Sequence, residues 1–250
     1  MPCSTSLSLS IVIPVFNEEK RLAVTFDALD CFVRKNIFKK LEVIFVNDGS
    51  RDKTYELIEN FRPGCRVRCI SYSINHGKGY AIREGMKQTT NDYCLMMDAD
   101  ISTPLTEIEK FIPLMKAGKP IIIGIRKGEG AKVEKHQPWY RRKMGRVYTL
   151  LASAFTGVWV SDFTCGFKCF SQEATQIIFP QTVINHWSYD AEILALAKVH
   201  GIEIYEVGVR WINDERTRVR IAKDTLQSFR DLLKIRNGIK KGLYGKTSVL

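Results

Sequence analysis

The sequence predicts a single α/β domain with a mostly parallel central sheet and helices on both faces. Three observations carry that prediction. Short apolar runs alternate with longer segments of helical period through the first half. The 250 residues are 45% hydrophobic and 26% charged, enough for one large core and unlike a disordered chain. Polar sequences follow three of the apolar runs directly, at the carboxyl ends of strands where an open parallel sheet binds its ligands.

The expected strands are Leu9–Val15, Leu41–Val46, Arg66–Ser71, Tyr93–Met97 and Ile121–Gly124. Helical patterns fill the gaps at 19–35, 52–61, 79–89 and 105–117. The second half reads differently. A basic, Gly-rich loop from Arg126 to about Trp139 leads into a helix through Phe155, then a turn-rich stretch carries Asp162-Phe-Thr-Cys-Gly-Phe-Lys168. A helix over about 190–200, a strand-like segment Glu203 to Trp211 and an amphipathic helix bearing Leu226, Phe229, Leu233 and Ile239 complete the chain. The expected domain is 1–236, with 237–250 as a basic C-terminal tail.

The formal charge is +11, and it is unevenly placed. Segment 126–146 is net +6 and segment 210–246 net +7, so the rest of the chain is slightly acidic. Such an excess suits an anionic partner: nucleic acid, an anionic membrane or a phosphorylated substrate. No zinc finger, RNP-type aromatic motif or basic zipper accompanies it, so nucleic acid is not expected as a partner. Seven cysteines with no C-x-x-C spacing read as free thiols of a reducing compartment. The N-terminus lacks a charged n-region, and the longest nearly uncharged stretch, Val147 to Ser161, is too short to span a bilayer. A soluble or surface-bound protein is expected.

Three polar signatures converge on one sheet rim: Pro14-Val-Phe-Asn17-Glu18-Glu19, Asn47-Asp48-Gly49-Ser50 and Asp98-Ala-Asp100. Asp98 and Asp100 would project to the same side of an extended segment, which suits Mg²⁺ or Mn²⁺ sharing its shell with substrate phosphates. Taken alone, the pair reads as a turn or helix cap before Pro104; alongside the other two signatures, metal is favoured. Asp48 offers hydrogen-bond acceptance to a nucleoside, although Asp-Gly-Ser is also a generic turn. Asn75-His-Gly77-Lys78-Gly79 has the look of a phosphate loop without the G-x-x-x-x-G-K-[S/T] spacing.

These motifs in their order, namely Ser10-Ile-Val-Ile-Pro-Val-Phe-Asn-Glu-Glu19, Val46-Asn-Asp-Gly-Ser-Arg-Asp-Lys-Thr54, Asn75-His-Gly-Lys-Gly79 and Met97-Asp-Ala-Asp100, resemble those of family-two glycosyltransferases with the GT-A fold. Asp162-Phe-Thr-Cys-Gly-Phe-Lys168, Trp187-Ser-Tyr-Asp-Ala-Glu192 and Glu206-Val-Gly-Val-Arg-Trp211 narrow the resemblance to the branch acting on dolichyl and other polyprenyl phosphates, with its glucosyltransferases and mannose synthases. The resemblance implies a GT-A, Rossmann-like domain and a nucleotide-sugar donor. Pro14, Asn17, Glu18 and Asp48 would line the nucleotide pocket, with Gly77 and Lys78 beside them. Asp98 would meet nucleotide or metal, and Asp100 would be the principal ligand of Mg²⁺ or Mn²⁺. Arg126, Arg146 and Arg218 match basic positions facing donor diphosphate or acceptor phosphate, and Gly166, Asp190 and Glu192 fall near sugar and acceptor.

Two departures bear on the substrate and on the anchor. Ser102 stands where the mannose synthase pattern has Gln, which favours a UDP-sugar, and glucose, over GDP-mannose. Related chains carry N-terminal or C-terminal membrane anchors, and no counterpart of either is expected from this sequence. The implied activity is inverting transfer of a sugar to a polyprenyl phosphate, an acceptor already anionic at neutral pH. The basic segments beside Val147–Val160 and the last helix would hold the enzyme peripherally on an anionic, cytoplasmic membrane face. A soluble glycan or protein acceptor is the nearest alternative. A nucleotidyltransferase is more distant, since such enzymes commonly carry an early Gly-rich basic loop.

Overall fold

A computed structural model describes residues 5–135, 138–213 and 221–245. The chain runs β1 (Thr5–Val15), α1 (Leu22–Arg34), β2 (Phe38–Asp48), α2 (Thr54–Glu59), β3 (Arg66–Tyr72), α3 (Lys78–Lys87) and β4 (Tyr93–Met96). A 3₁₀ segment, Leu105–Lys110, precedes α4 (Ile112–Lys116) and β5 (Ile121–Ile125). Then follow β6 (Lys132–Lys135), α5 (Trp139–Thr156), β7 (Lys168–Ser171), α6 (Gln172–Ile178), α7 (Tyr189–Val199), β8 (Ile204–Gly208), β9 (Arg210–Ile212) and α8 (Ile221–Lys240). The main sheet has the order β3-β2-β1-β4-β7-β5-β8, and β6 pairs with β9 in a small parallel ribbon.

All pairings of the main sheet are parallel except those of β7, which runs antiparallel between β4 and β5. The sheet separates two apolar cores, as the strand period requires. From β1 and β2, Val12, Ile44 and Val46 face one side, while Ile11, Ile13, Val43 and Phe45 face the other. The first side is covered by α3, α5, α6, α7 and α8 through Ala81, Met86, Ala152, Ile178, Leu194 and Leu232. The second is covered by α1 and by the 105–116 segment, with Leu29, Phe32, Ile108, Phe111 and Met115. Pro14 is tolerated inside β1 because its ring nitrogen faces the β4 side, where pairing has already ended at Val12–Met96.

The expected parallel sheet with helices on both faces is present, with five differences in detail, the first being that the loop expected from Arg126 to about Trp139 contains β6, paired with β9. The helix expected over 105–117 is broken into a 3₁₀ turn and α4, and Pro113 lies in the first turn of α4, where its missing N–H costs nothing. β7 and α6 lie between the turn-rich stretch ending at Lys168 and the helix expected from about 190, where no element is expected from sequence, and a four-residue strand is too short to display a period. The segment Glu203–Trp211 is two strands, with Val209 between them donating its N–H to the Ile125 carbonyl at 3.0 Å. The boundary drawn after residue 236 falls inside α8, and Tyr244 beyond it is buried, its hydroxyl donating to Glu192 at 2.9 Å.

Helix α3 lies directly on the two strands that carry the rim motifs. A Cβ at Gly85 would sit 2.4 Å from Val12 Cγ1 and 2.7 Å from Val46 Cγ2. Gly85→Ala is therefore expected to lift α3 from the sheet and destabilise the fold by about 1–3 kcal/mol. A urea titration followed by circular dichroism reads this as a lower midpoint at unchanged slope.

Candidate active site

The rim begins where β1 and β2 end side by side. Asn17 adopts a left-handed conformation (φ 51°), which turns its backbone toward the loop after β2. Its N–H donates to Ser50 Oγ at 2.8 Å, and its side-chain oxygen accepts the Arg51 N–H at 2.8 Å. The Glu18 N–H donates to Thr54 Oγ1 at 2.7 Å, and the Glu18 carboxylate meets Arg21 at 3.3 Å. These bonds knit the first two signatures into one surface.

Asp48 turns inward to the neighbouring loop. Its carboxylate accepts from Asn75 Nδ2 and from the backbone N–H groups of His76 and Gly77, each at 2.8 Å. Gly49 (φ 71°) permits this approach, since a Cβ there would lie 2.7 Å from the backbone at Ile74 and Asn75. Gly77 (φ 106°) and Gly79 bring the start of α3 against the 184–186 backbone: a Cβ on either would lie 2.5 Å from a carbonyl oxygen. His76 stacks near Tyr80, 4.5 Å between ring centroids, and its contacts are those of a loop residue.

Lys78, the first residue of α3, reaches across the rim to Asp98 Oδ1 and makes an ion pair. Its ammonium also lies 5.5 Å from the Trp187 ring centroid and 5.6 Å from that of Tyr189. Burial alone would lower the Lys78 pKa; the Asp98 charge overrides it and holds the ammonium well above the usual lysine range. Asp98 itself is backed by Gly166, whose missing Cβ would lie 2.4 Å from Asp98 Oδ2.

Asp98 and Asp100 stand on a turn, not the extended segment expected. Ile101 is left-handed (φ 54°), and Asp100 Oδ1 accepts the Ser102 N–H at 2.9 Å. Burial pushes the Asp100 carboxyl up and the Asp98 charge pushes it further, against the Ser102 N–H and Lys78. Among the described residues no third His, Cys, Asp or Glu joins them to make a protein-only metal cage. Two hard carboxylate donors with like-charge repulsion fit a Mg²⁺ or Mn²⁺ ion whose remaining ligands come from substrate phosphate and water.

Beyond Asp98 the second half supplies two buried ion pairs. Arg126, just after β5, is bidentate to Asp162, Nε at 2.7 Å and Nη2 at 2.8 Å, and also donates to Thr164 Oγ1 at 2.6 Å. Its guanidinium lies 5.2 Å from the Trp211 ring centroid. Lys168, with no exposed surface, donates to the Phe163 and Cys165 carbonyls and to Asp190 Oδ1 at 2.6 Å. Burial raises the Asp190 pKa, while Lys168 and then Lys78 draw it down. Glu192 is fully buried, accepting from the Val183 and Ile184 N–H groups and from Tyr244. It holds the fold around the site and faces no solvent.

The sequence-derived candidates thus divide. Pro14, Asn17, Glu18, Asp48, Gly77, Lys78, Asp98 and Asp100 share one rim. Asp190 stands behind it, electrostatically coupled to Lys78 and Asp98. Arg126 is present but bound to Asp162, Arg146 is exposed on α5, and Arg218 lies outside the described residues. Asp162, which sequence offers beside Asp190 and Glu192 as a base or an acceptor-orienting carboxylate, is instead committed to Arg126, and Lys168 is a residue that sequence reasoning missed. The signal for Lys168 was a lysine set between Phe167 and Cys169 in an apolar run, where a cation needs a buried partner.

Residues 10–179, which include the rim motifs, match the sequence model of "Glycosyl transferase family 2". The chain belongs to that family. Dolichyl-phosphate beta-glucosyltransferases are similar over nearly the whole chain. The Homo sapiens protein is 32% identical, with 93% of this chain and 76% of its own length covered. The Saccharomyces cerevisiae protein is 30% identical, covering 94% and 76%. The fold of family 2 extends to solved structures at low identity. Glucosyl-3-phosphoglycerate synthase from M. tuberculosis superposes with a TM-score of 0.66 at 18% identity, covering 92% of this chain and 81% of that one. The same enzyme in complex with Mn²⁺, UDP and glucosyl-3-phosphoglycerate matches with a TM-score of 0.63 at 17% identity, covering 92% and 80%. The chain is therefore a GT-A glycosyltransferase.

The Arg126–Asp162 pair gives a pH-dependent test. Burial would raise the Asp162 pKa, but Arg126 holds it below the usual carboxylate range. A pKa lowered by folding contributes stability above the unfolded value, about 3.9, that is lost as pH falls toward the folded one. Asp162→Asn is expected to cost about 3 kcal/mol at pH 7. That cost should shrink steadily between about pH 5 and pH 3, read from urea midpoints of both proteins.

Proposed function

We propose that the protein transfers glucose from UDP-glucose to a dolichyl or other polyprenyl phosphate, with inversion at the anomeric carbon. The observation that carries this reading is the kinship with dolichyl-phosphate beta-glucosyltransferases at about 30% identity over more than nine-tenths of the chain. The rim signatures supply the donor side. Asn17, Glu18 and the loop that Asp48 organises would receive the nucleoside. Asp98 and Asp100 would hold Mg²⁺ or Mn²⁺, which when bound stabilises negative charge on the departing diphosphate. Lys78 stands at the same place with a second positive charge for the diphosphate.

On the acceptor side the carboxylates are already committed. Asp162 is spent on Arg126, Asp190 on Lys168, and Glu192 on backbone N–H groups and Tyr244. A hydroxyl acceptor needs a general base, and these three are poorly placed to serve. A lipid phosphate arrives already ionised and needs positioning and charge neutralisation. Arg126, anchored by Asp162 and Trp211, has a fixed guanidinium with which to meet it. Arg146 and Arg218 remain candidates for the same task.

The lipid tail would lie along α5 and α8. Trp139, Val147 and Leu150 recur on one exposed face of α5, and Leu226, Phe229 and Leu233 on α8. The two helices meet through Phe155 and Phe229, with the Arg236 guanidinium over Phe155 and the Lys143 ammonium over Trp139. Among the described residues no helix is long and apolar enough to cross a membrane. Apolar stripes framed by cations suit peripheral attachment to an anionic leaflet. The six described cysteines are free, in keeping with the cytoplasmic face.

The deciding assay crosses donors (UDP-glucose, other UDP-sugars, GDP-mannose) with acceptors (polyprenyl phosphate, soluble glycans). Glucosyl-phosphate-lipid formation that requires metal and falls about 100-fold or more in Asp100→Ala is expected. Transfer to a soluble glycan alone would overturn the lipid assignment. On the membrane side, co-flotation with vesicles containing phosphatidylserine should weaken with salt. It should fall about 30-fold or more in the Val147→Glu, Leu150→Glu double variant, each change removing about 1 kcal/mol or more of interfacial binding.

A further inference from the structure

The placement of Lys78 is over-determined. Its Cα is fixed by Gly77 and Gly79, both pressed against the 184–186 backbone, and by Asp48, which holds the turn just before it. Its ammonium is boxed by Asp98, Trp187 and Tyr189. Asp98 is held at both oxygens, with Gly166 against Oδ2 and Lys78 on Oδ1, and its side chain is 35% exposed. Neither partner reaches the other through a flexible surface arm: the Lys78 side chain keeps 20% of its exposure. The ion pair therefore occupies one of the two carboxylates of the metal site.

We infer that Lys78 is the internal counter-ion of Asp98 and makes metal binding conditional on the donor's diphosphate. The inference rests on the reading of Asp98 and Asp100 as the metal site and adds to it a coupling between ligands. A divalent ion arriving alone meets an ammonium in contact with Asp98 and must displace or tolerate a like charge. A diphosphate brings the anionic oxygens that can take the ammonium over, and Asp98 is then released to the metal. Each ligand improves the other's affinity by the same factor, as linkage requires. A free divalent ion would in this way be kept from filling the site without a substrate.

The test is calorimetric titration of the intact protein with MnCl₂ alone, with UDP alone, and with MnCl₂ at saturating UDP. Lys78→Met keeps the side chain's length and removes its charge. It is expected to bind Mn²⁺ alone about tenfold more tightly than wild type, and metal-free UDP about tenfold more weakly. The cooperativity factor between the two ligands should shrink accordingly. Lys78→Arg should restore the wild-type signs of both effects. A residue serving only the fold would weaken both ligands together. Lys78→Gln carries the same test should the Met variant lose its thermal transition. Mn²⁺ affinity unchanged or weaker in a folded, uncharged variant overturns the inference, as does wild-type Mn²⁺ binding indifferent to UDP. These titrations need no acceptor. Tighter Mn²⁺ binding in a protein that transfers no glucose would sink the proposed reaction and keep the coupling; glucosyl transfer with unchanged Mn²⁺ affinity would do the reverse.

Discussion

Asp48 sits at the last residue of β2, nearly without solvent exposure, and spends its carboxylate on the turn at 75–77. Hydrogen bonds to a charged acceptor contribute about 1.5–3 kcal/mol each, and removing the carboxylate would release all three donors of the turn. Everything on the donor side of the rim follows from that clasp. It sets where α3 begins, and so where Gly77 and Gly79 meet the 184–186 backbone. It sets where Lys78 points, and through Lys78 the electrostatic state of Asp98. A residue read from sequence as a ligand-facing acceptor therefore acts first as the fastening between two loops.

Much of the site was legible because the parallel sheet does the gathering. Once strands ending at Val15, Asp48 and Met96 are recognised, the polar residues just after them must share an edge, whatever the helices between them do. The rest depended on contacts made across long separations. Lys168 takes its partners from Phe163, Cys165 and Asp190, and no local pattern connects a lysine to an aspartate on a different helix. Asp162 could be seen as a carboxylate, but its commitment to Arg126 arises only when the chain returns to the end of β5. β7 is hidden for a different reason: four residues, three of them fixed by pairing on both sides, show no periodicity of their own.

The basic excess of the second half resolves into two populations. Arg126 and Lys168 point inward and are matched by single carboxylates, so they organise structure at fixed geometry. Lys143 and Arg236 stay outside and lie over aromatic rings beside exposed apolar residues. Net charge alone could not separate these, because burial decides whether a cation builds a site or meets a surface.

The reversal of β7 has an architectural consequence. Ile125 leaves β5 at the rim, and Lys168 enters β7 at the same rim, where the Gly124 N–H donates to the Phe167 carbonyl at 2.8 Å. Everything from 126 to 167, including α5, is an excursion whose two ends are tied together at one edge of the sheet. The segment is nevertheless part of the body of the fold: Ala152 and Phe163 enter the core, and β6 pairs with β9. The donor edge before it and the helix α7 behind it form a fixed chassis.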